Sequence, residues 1–243
     1  MAHLYINEEI DDAKVGDTVS LTKAEARHAV TVSRLTVGEV IAISNGAGLT
    51  VSGPVTTAEH TELSIEVAEV QRSTRNSPAV FLAQALAKAD RDELAVQVAT
   101  ELGVDGVIPW SASRSISRWQ GAKVAKGRDR WAAIVREASK QSMRTWMPDV
   151  LDLVTSKQLA AFASSARMLV LEPTATETLA DLVVDDRDIV LVVGPEGGVA
   201  DHELELLTAA GASTVRLGAE VLRTSTAGPA ALAVLNVKLG RWG

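Results

Sequence analysis

Five apolar residues, Ile189-Val190-Leu191-Val192-Val193, run directly into Gly194-Pro195-Glu196-Gly197-Gly198. A stretch that is apolar at every position fits a strand buried on both faces, as in a parallel sheet. A glycine turn at the end of such a strand, ahead of a helix, is where α/β proteins admit ligands, because glycine lets main chain come close. The turn is not GxGxxG, and no GxxxxGKS/T occurs, so the dinucleotide and P-loop readings lack their expected element. A plain tight turn is the bland alternative.

Strand and helix patterns alternate on both sides of this stretch. Ala79–Leu86, Val104–Trp110, Leu169–Leu171 and Val215–Leu217 read as short strands. Asp90, with Glu93 three residues on, predicts the start of a helix whose apolar face is Leu94, Val98 and Leu102. Arg130–Ser142 predicts another helix, with Ile134, Val135 and Ala138 inward, and the last begins near Pro229. The alternation predicts a parallel sheet covered on both faces. A second loop, Leu217-Gly218-Ala219-Glu220-Val221-Leu222-Arg223-Thr224-Ser225-Thr226-Ala227, follows a short strand. With the Gly194–Gly198 loop, from a neighbouring strand, it would form the two walls of one pocket.

The first seventy residues differ. Thr18–Leu21, Val40–Ile43 and the alternating Leu63, Ile65, Val67 read as strands, interrupted by one helix over Lys23–Arg34. This predicts a small β-barrel over 1–72, a breaker-rich linker at Gln71–Pro78, and an α/β domain over 73–243.

Net charge is −7, which argues against nucleic acid, but the charge is uneven. Residues 73–148 carry 12 Lys/Arg and 7 Asp/Glu, while the segments on either side are each net −6. Nine cations lie between Arg114 and Arg144, opposed only by Asp129 and Glu137, with Trp110, Trp119, Trp131 and Trp146 in or beside them. Cations with interleaved aromatics suit a polyanion with stackable bases. A solvated helix face anchored by tryptophan fits equally well. Cysteine is absent, which removes disulfides, thiolate metal sites and cysteine nucleophiles. No metal site is expected. The start, MAHLYINEEIDD, has no basic region followed by an apolar one, so no export signal or membrane span is expected.

GPEGG followed by LGAEVLRTSTA resembles the C-terminal signature of the SPOUT methyltransferases, and most closely the 16S ribosomal RNA uridine-N3 methyltransferase family. The likeness runs along nearly the whole chain. His28 with Ser33-Arg34-Leu35 and Gly38, then Thr100-Glu101-Leu102-Gly103-Val104, then Ile108-Pro109 through Arg114, then Glu137-Ala138 with Gln141-Ser142 and Arg144 resemble successive family motifs. Four places depart from the pattern. Ala2-His3-Leu4-Tyr5 replaces an arginine-aromatic strand, Val98 a lysine, Ser33 a leucine and Ser225 a glutamate.

The resemblance implies a SPOUT-like α/β knot after a PUA-like RNA-binding barrel, in a cytoplasmic homodimer acting on 16S ribosomal RNA or the small subunit. It implies an S-adenosylmethionine site made of Leu171, Gly194, Pro195, Glu196, Gly197 and Gly198 on one side. Leu217, Gly218, Val221, Leu222, Arg223, Thr224, Thr226 and Ala227 make the other. His28, Arg34, Arg114, Arg118 and Arg144 are the expected RNA contacts. Methyl transfer to a uracil N3 is mainly alignment plus care of a departing proton and the anion left behind. Arg114 and Arg223 are candidate cations for that anion, and Glu196 a candidate base or a cap for the helix that follows. His202 reads as a solvent-facing helix residue. Two rivals stand: an RNA-binding assembly factor with a vestigial pocket, and a doubly wound enzyme using another nucleotide.

Overall fold

The computed structural model describes residues 4–243; Ala2 and His3, two of the altered N-terminal positions, lie outside them. Contacts divide the chain into a first unit, ending at Arg75 and including Ser139–Met147, and a second unit of Asn76–Ala138 and Pro148–Gly243. A single cut at 72/73 therefore misses two things. The boundary falls three residues later, and a nine-residue segment from far along the chain returns to the first unit.

The first unit is built from β1 (Leu4–Ile6), β2 (Thr18–Thr22), α1 (Lys23–Arg27), β3 (Val40–Ser44), β4 (Leu49–Ala58), β5 (Glu62–Glu66) and β6 (Glu69–Arg72). The strands pair in the order β1-β3-β4-β5-β2, with β6 also on β4. The ten-residue β4 serves three partners, and its register shifts between Val55 and Thr57. Its bulge turns the sheet over a core that includes Tyr5, Leu21, Ile41, Ile43, Leu63 and Ile65. The helix expected over Lys23–Arg34 is α only to Arg27. It widens into a π turn over His28–Val32, closed by Ser33 N–H on the His28 carbonyl, and Arg34 then takes a left-handed φ of +56°. The returning segment is fastened by Gly48 N–H on the Thr145 carbonyl, the Trp146 indole N–H on the Ser73 carbonyl, and a Lys140–Glu25 ion pair of 3.3 Å. The Lys140 side chain is 9% exposed, so this pair is shielded.

The second unit comprises β7 (Val80–Ala85), α2 (Arg91–Glu101), β8 (Gly106–Ser111), α3 (Ala122–Gln141, whose residues from Ser139 on belong to the first unit), β9 (Asp149–Val150), β10 (Val154–Thr155), α4 (Ser156–Ala161), β11 (Arg167–Leu171), β12 (Ile189–Val193), α5 (Asp201–Ala209), β13 (Ser213–Val215) and α6 (Thr224–Lys238). The sheet is parallel throughout, in the order β10-β8-β7-β12-β11-β13, with β9 also on β8. β12 is buried at all five positions, as its unbroken apolar run requires. Among the described residues no helix is long and apolar enough to cross a membrane.

Several expectations shift. The strand expected over Val215–Leu217 lies at Ser213–Val215, which frees Leu217 for the loop. α3 begins eight residues before Arg130 and buries Trp131, Val135, Ala138 and Ser139, with Ile134 half-buried. α6 begins at Thr224 rather than near Pro229, because the Arg223 carbonyl accepts from the N–H of both Thr226 and Ala227; Pro229 sits inside the helix. Asp90 does not cap α2. Its side chain accepts no capping bond and its φ is +57°. Asp92 takes the part instead, accepting from the N–H of Ala87 and Glu93. α2 buries Asp92, Ala95, Val96, Ala99 and Thr100 and packs small residues against α6, while Leu94 is 49% exposed. Of the expected apolar face, Leu94 is exposed while Val98 and Leu102 are half-buried, at the margin of the packed side.

Glu203, 1% exposed in the first turn of α5, binds three separate elements. It accepts from Ser113 N–H at 2.9 Å, from the Ser156 hydroxyl, and from Ala200 N–H at 3.3 Å. Burial pushes this carboxyl up, but the donors outweigh it and hold it below the usual glutamate value of 4.5. A depressed folded value means stability that is complete above 4.5 and lost as pH falls through the folded value. Glu203→Gln is expected to lower stability at neutral pH by about 1–3 kcal/mol and to flatten the acid limb. Thermal midpoints of both proteins between neutral pH and about pH 3 check this. Parallel curves would show that another group titrates.

Candidate functional site

The Gly194–Gly198 turn leaves β12 at the carboxyl edge of the sheet, and the Leu217–Ala227 segment follows β13 at the same edge. These strands are not neighbours: β11 lies between them. Its own exit, Leu171-Glu172-Pro173, supplies the floor of a cavity of about 390 Å³ that the two loops wall. That volume is in the range of small-molecule sites, about 300–1,000 Å³.

Most of the residues named from the sequence for the cofactor line this cavity. Leu171, Gly194, Pro195, Glu196 and Gly198 lie on one side, and Leu217, Gly218, Val221, Leu222, Arg223, Thr224 and Ala227 on the other. Gly197 and Thr226 do not line the cavity. Thr226 is exposed, and a Cβ on Gly197 would meet the Arg114 side chain at 3.2 Å. Sequence reasoning missed Arg91, Glu172, Pro173, Val193, Val199, Val215, Arg216 and Glu220. Glu172-Pro173 was findable, since it directly follows a strand that ends at this edge; Arg91 opens α2, far away in sequence, and carries no local signal.

Two glycines have definite work here. A Cβ on Gly194 would sit 2.9 Å from the Val199 side chain and 3.1 Å from its nitrogen, so the turn closes only without one. Gly198 has φ +72°, a left-handed backbone that side chains rarely adopt. The two walls are clipped together by Thr224. Its hydroxyl donates to the Gly194 carbonyl at 2.8 Å and accepts from the buried Gln84 amide at 2.8 Å. Ser225, one of the four departures from the resembled pattern, is buried and does not line the cavity.

The charged candidates part ways. Glu196 does not cap α5. Its Oε1 accepts from Lys88 N–H and from the Arg91 guanidinium, each at 3.2 Å, which ties the turn to the loop after β7. Arg114 donates to the carbonyls of Gly197 at 3.3 Å and Val199 at 3.1 Å, and pairs with Asp201 at 3.4 Å. It braces the glycine turn from outside the cavity. Arg223 lines the cavity, is exposed, and its side chain makes no hydrogen bond or ion pair among the described residues.

Much of the basic segment is spoken for. Arg118 donates to the carbonyls of Ala112 and Ser113, both at 2.8 Å. Arg128 pairs with Asp152 at 3.3 Å and Arg130 with Glu93 at 2.9 Å. Arg144 lies in the segment returned to the first unit and has interactions of its own. The tryptophans are mostly anchors. Trp110 and Trp131 are 0% and 1% exposed, and Trp146 carries the Arg75 guanidinium 4.8 Å from its ring centre. Trp119 is half-buried, edge-on to Trp131 at 5.4 Å. In the first unit His28 and Arg34 are both exposed, and His28 stands edge-on to Tyr5 at 6.3 Å. His202 is exposed as expected, with Nε2 3.1 Å from the Ser113 hydroxyl.

Residues 74–236 match the model of the RNA methyltransferase domain. A relative in Mycobacterium tuberculosis, named ribosomal RNA small subunit methyltransferase E, is 41% identical over 224 residues, covering 90% of this chain and 86% of the relative. The chain belongs to this family of RNA methyltransferases. A second member, in Bacillus subtilis and with the same name, is 31% identical over 241 residues, covering 94% of this chain and 92% of its own. Among solved structures, a ribosomal RNA small subunit methyltransferase E from Neisseria gonorrhoeae bound to S-adenosyl methionine is similar with a TM-score of 0.88 and 29% identity, over 98% of each chain. A putative methyltransferase from Legionella pneumophila in complex with bound SAM has the same score, identity and coverage.

Proposed function

We propose that this chain is an enzyme that transfers a methyl group from S-adenosylmethionine to N3 of a uridine in 16S ribosomal RNA. The observation that carries the reading is the cavity formed where the GPEGG and LGAEVLR loops meet over the end of β11. Its lining suits this group. Leu171, Val193, Val215 and Leu222 offer apolar surface for an adenine ring, glycine main chain offers polar groups at close range, and Glu172 and Glu220 offer negative charge to a sulfonium. When bound, S-adenosylmethionine supplies a methyl group that is already activated.

This chain's residues then have three tasks. Gly194, Gly198 and Gly218 let the main chain hold the adenosine. Glu196, fixed by Arg91 and Lys88, keeps the wall in place rather than collecting a proton. Arg223, a cation whose side chain has no partner among the described residues, faces the uracil anion, while the uracil N3 proton passes to water. Arg114 remains near the site as a brace. His28, Arg34, Arg118 and Arg144, with the exposed side of Arg114, form the RNA-binding set, and the first unit is a PUA-like barrel.

A knotted C-terminal domain belongs to the same reading and rests on the likeness of the GPEGG and LGAEVLRTSTA segments to the SPOUT signature. The outward Leu94 on α2 and the 62% exposed Val237 on α6 support a homodimer that covers them. The location in keeping with this substrate is the cytoplasm.

Calorimetry with S-adenosylmethionine and mass mapping of 16S RNA nucleosides from a deletion strain test the reading together. Binding is expected, as is loss of one 3-methyluridine. Absence of binding would favour an assembly factor, and an unchanged nucleoside map would move the activity to another substrate.

A further inference from the structure

A second cavity, of about 360 Å³, lies entirely within the second unit. It opens where the loops after β7 and β8 leave the carboxyl edge of the sheet, so it adjoins the cofactor cavity rather than lying across the molecule from it. One short loop serves both. Arg91 lines the first cavity, while Lys88, Ala89 and Asp90 line the second, and Glu196 grips this loop through Lys88 N–H and Arg91. Two sites side by side at the ligand-binding edge are what a two-substrate enzyme needs.

The loop is strained where it meets the second cavity. Ala89 and Asp90 have φ of +54° and +57° in succession. Left-handed backbone is tolerated by aspartate but is unfavourable for alanine, and such strain collects at ligand sites. The strain presents two polar groups with little else to do. The Lys88 ammonium makes no hydrogen bond or ion pair among the described residues. Among the described residues the Asp90 carboxylate accepts no hydrogen bond, and it feels the charge of Arg130, itself already bound to Glu93. Apolar surface faces them from the other elements: the Trp119 ring and Ile116, which is 64% exposed.

The lining holds two cations, Lys88 and Arg130, against three carboxylates, Asp90, Asp92 and Glu93, an excess that disfavours a phosphate. A flat ring with a donor beside an acceptor on its edge fits better: the ring lies on Trp119 and Ile116, its N–H meets Asp90, and its carbonyl oxygen meets Lys88. We propose that this cavity binds one nucleobase of the RNA substrate, a base with an imide edge such as uracil, through Trp119, Asp90 and Lys88. The proposal deepens the methyltransferase reading above and rests on it for the RNA.

The test uses the full-length protein and a uridine hexanucleotide carrying one 4-thiouridine, photocrosslinked and mapped by peptide mass spectrometry. Crosslinks are expected within 116–119 or 88–93. Asp90→Asn, which keeps the left-handed turn, and Lys88→Ala, which keeps the N–H bound to Glu196, are each expected to weaken hexanucleotide binding about tenfold, in the range of single-base contacts. Affinity for S-adenosylmethionine should stay within about twofold in both, since neither side chain lines that cavity. Trp119→Phe should bind nearly as the wild type and Trp119→Ala should not. Crosslinks confined to other segments, with both polar variants binding as the wild type, would overturn the proposal while leaving cofactor binding and methylation intact. A wild type that crosslinks as expected but fails to bind S-adenosylmethionine would overturn the methyltransferase reading instead.

Discussion

Gly218→Val is expected to weaken S-adenosylmethionine binding by about 100-fold, equivalent to ~2.8 kcal/mol, without weakening the fold. The structure separates this glycine from the others at the site. A Cβ on Gly218 meets only the end of the flexible Glu220 side chain, at 3.5 Å, and no left-handed φ is required there. Valine is therefore accommodated by the protein and projects into room the ligand needs. Gly194→Val loses binding too, but for a different reason. Its side chain would collide with Val199 at 2.9 Å, pushing the turn off the Thr224 hydroxyl, so the thermal midpoint should fall with the affinity. Calorimetry and thermal melts of the two variants distinguish the cases. Unchanged affinity in Gly218→Val, with the fold intact, would remove the second loop from the cofactor wall.

The contrast between these two glycines shows which parts of the site were legible in the chain. Ile189–Val193 is apolar at every position, and only a strand covered on both faces satisfies that, so both its limits and its environment were readable. Most of the cavity wall followed because it is continuous with that strand or with the LGAEVLR segment. What was not readable depends on partners remote in sequence. Glu196 could serve as base, ligand or cap until Lys88 and Arg91, more than a hundred residues earlier, are seen to hold it. The Leu94, Val98 and Leu102 stripe has the spacing of a buried face, but α2 packs its small residues against α6, which leaves Leu94 exposed and Val98 and Leu102 half-buried at the margin. The basic, tryptophan-rich stretch has the composition of a polyanion surface, yet composition says nothing of neighbouring carbonyls. Arg118 satisfies two of them, and Trp110 and Trp131 fill the interior. The return of Ser139–Met147 to the first unit had no local signal at all, since a helix that changes unit near its end keeps one periodicity throughout.

Arg223→Ala and Arg114→Ala are expected to damage the reaction in opposite ways, although sequence alone made both arginines candidate cations. Arg223 lines the cavity with its guanidinium uncommitted, so its charge is available to an anion forming there. Removing it should lower the single-turnover rate of methyl transfer by about 100- to 1,000-fold, the usual loss for one preorganised donor to a developing anion. Cofactor affinity should change little, because glycine main chain and apolar side chains hold the adenosine. Arg114 is spent on the carbonyls of Gly197 and Val199 and on Asp201. Its loss frees the glycine turn, so affinity for S-adenosylmethionine should fall about tenfold, while the rate at saturating cofactor recovers most of its value. Salt dependence of RNA binding separates the roles further. A cation that contacts phosphate lowers the slope by about 0.7 when removed from a single-strand complex, whereas one bound to main-chain carbonyls leaves it unchanged. Arg114→Ala should belong to the second class. A reduced slope with unaltered cofactor affinity in Arg114→Ala would mean that its bonds to the turn give way when RNA binds, and would return this residue to the RNA surface.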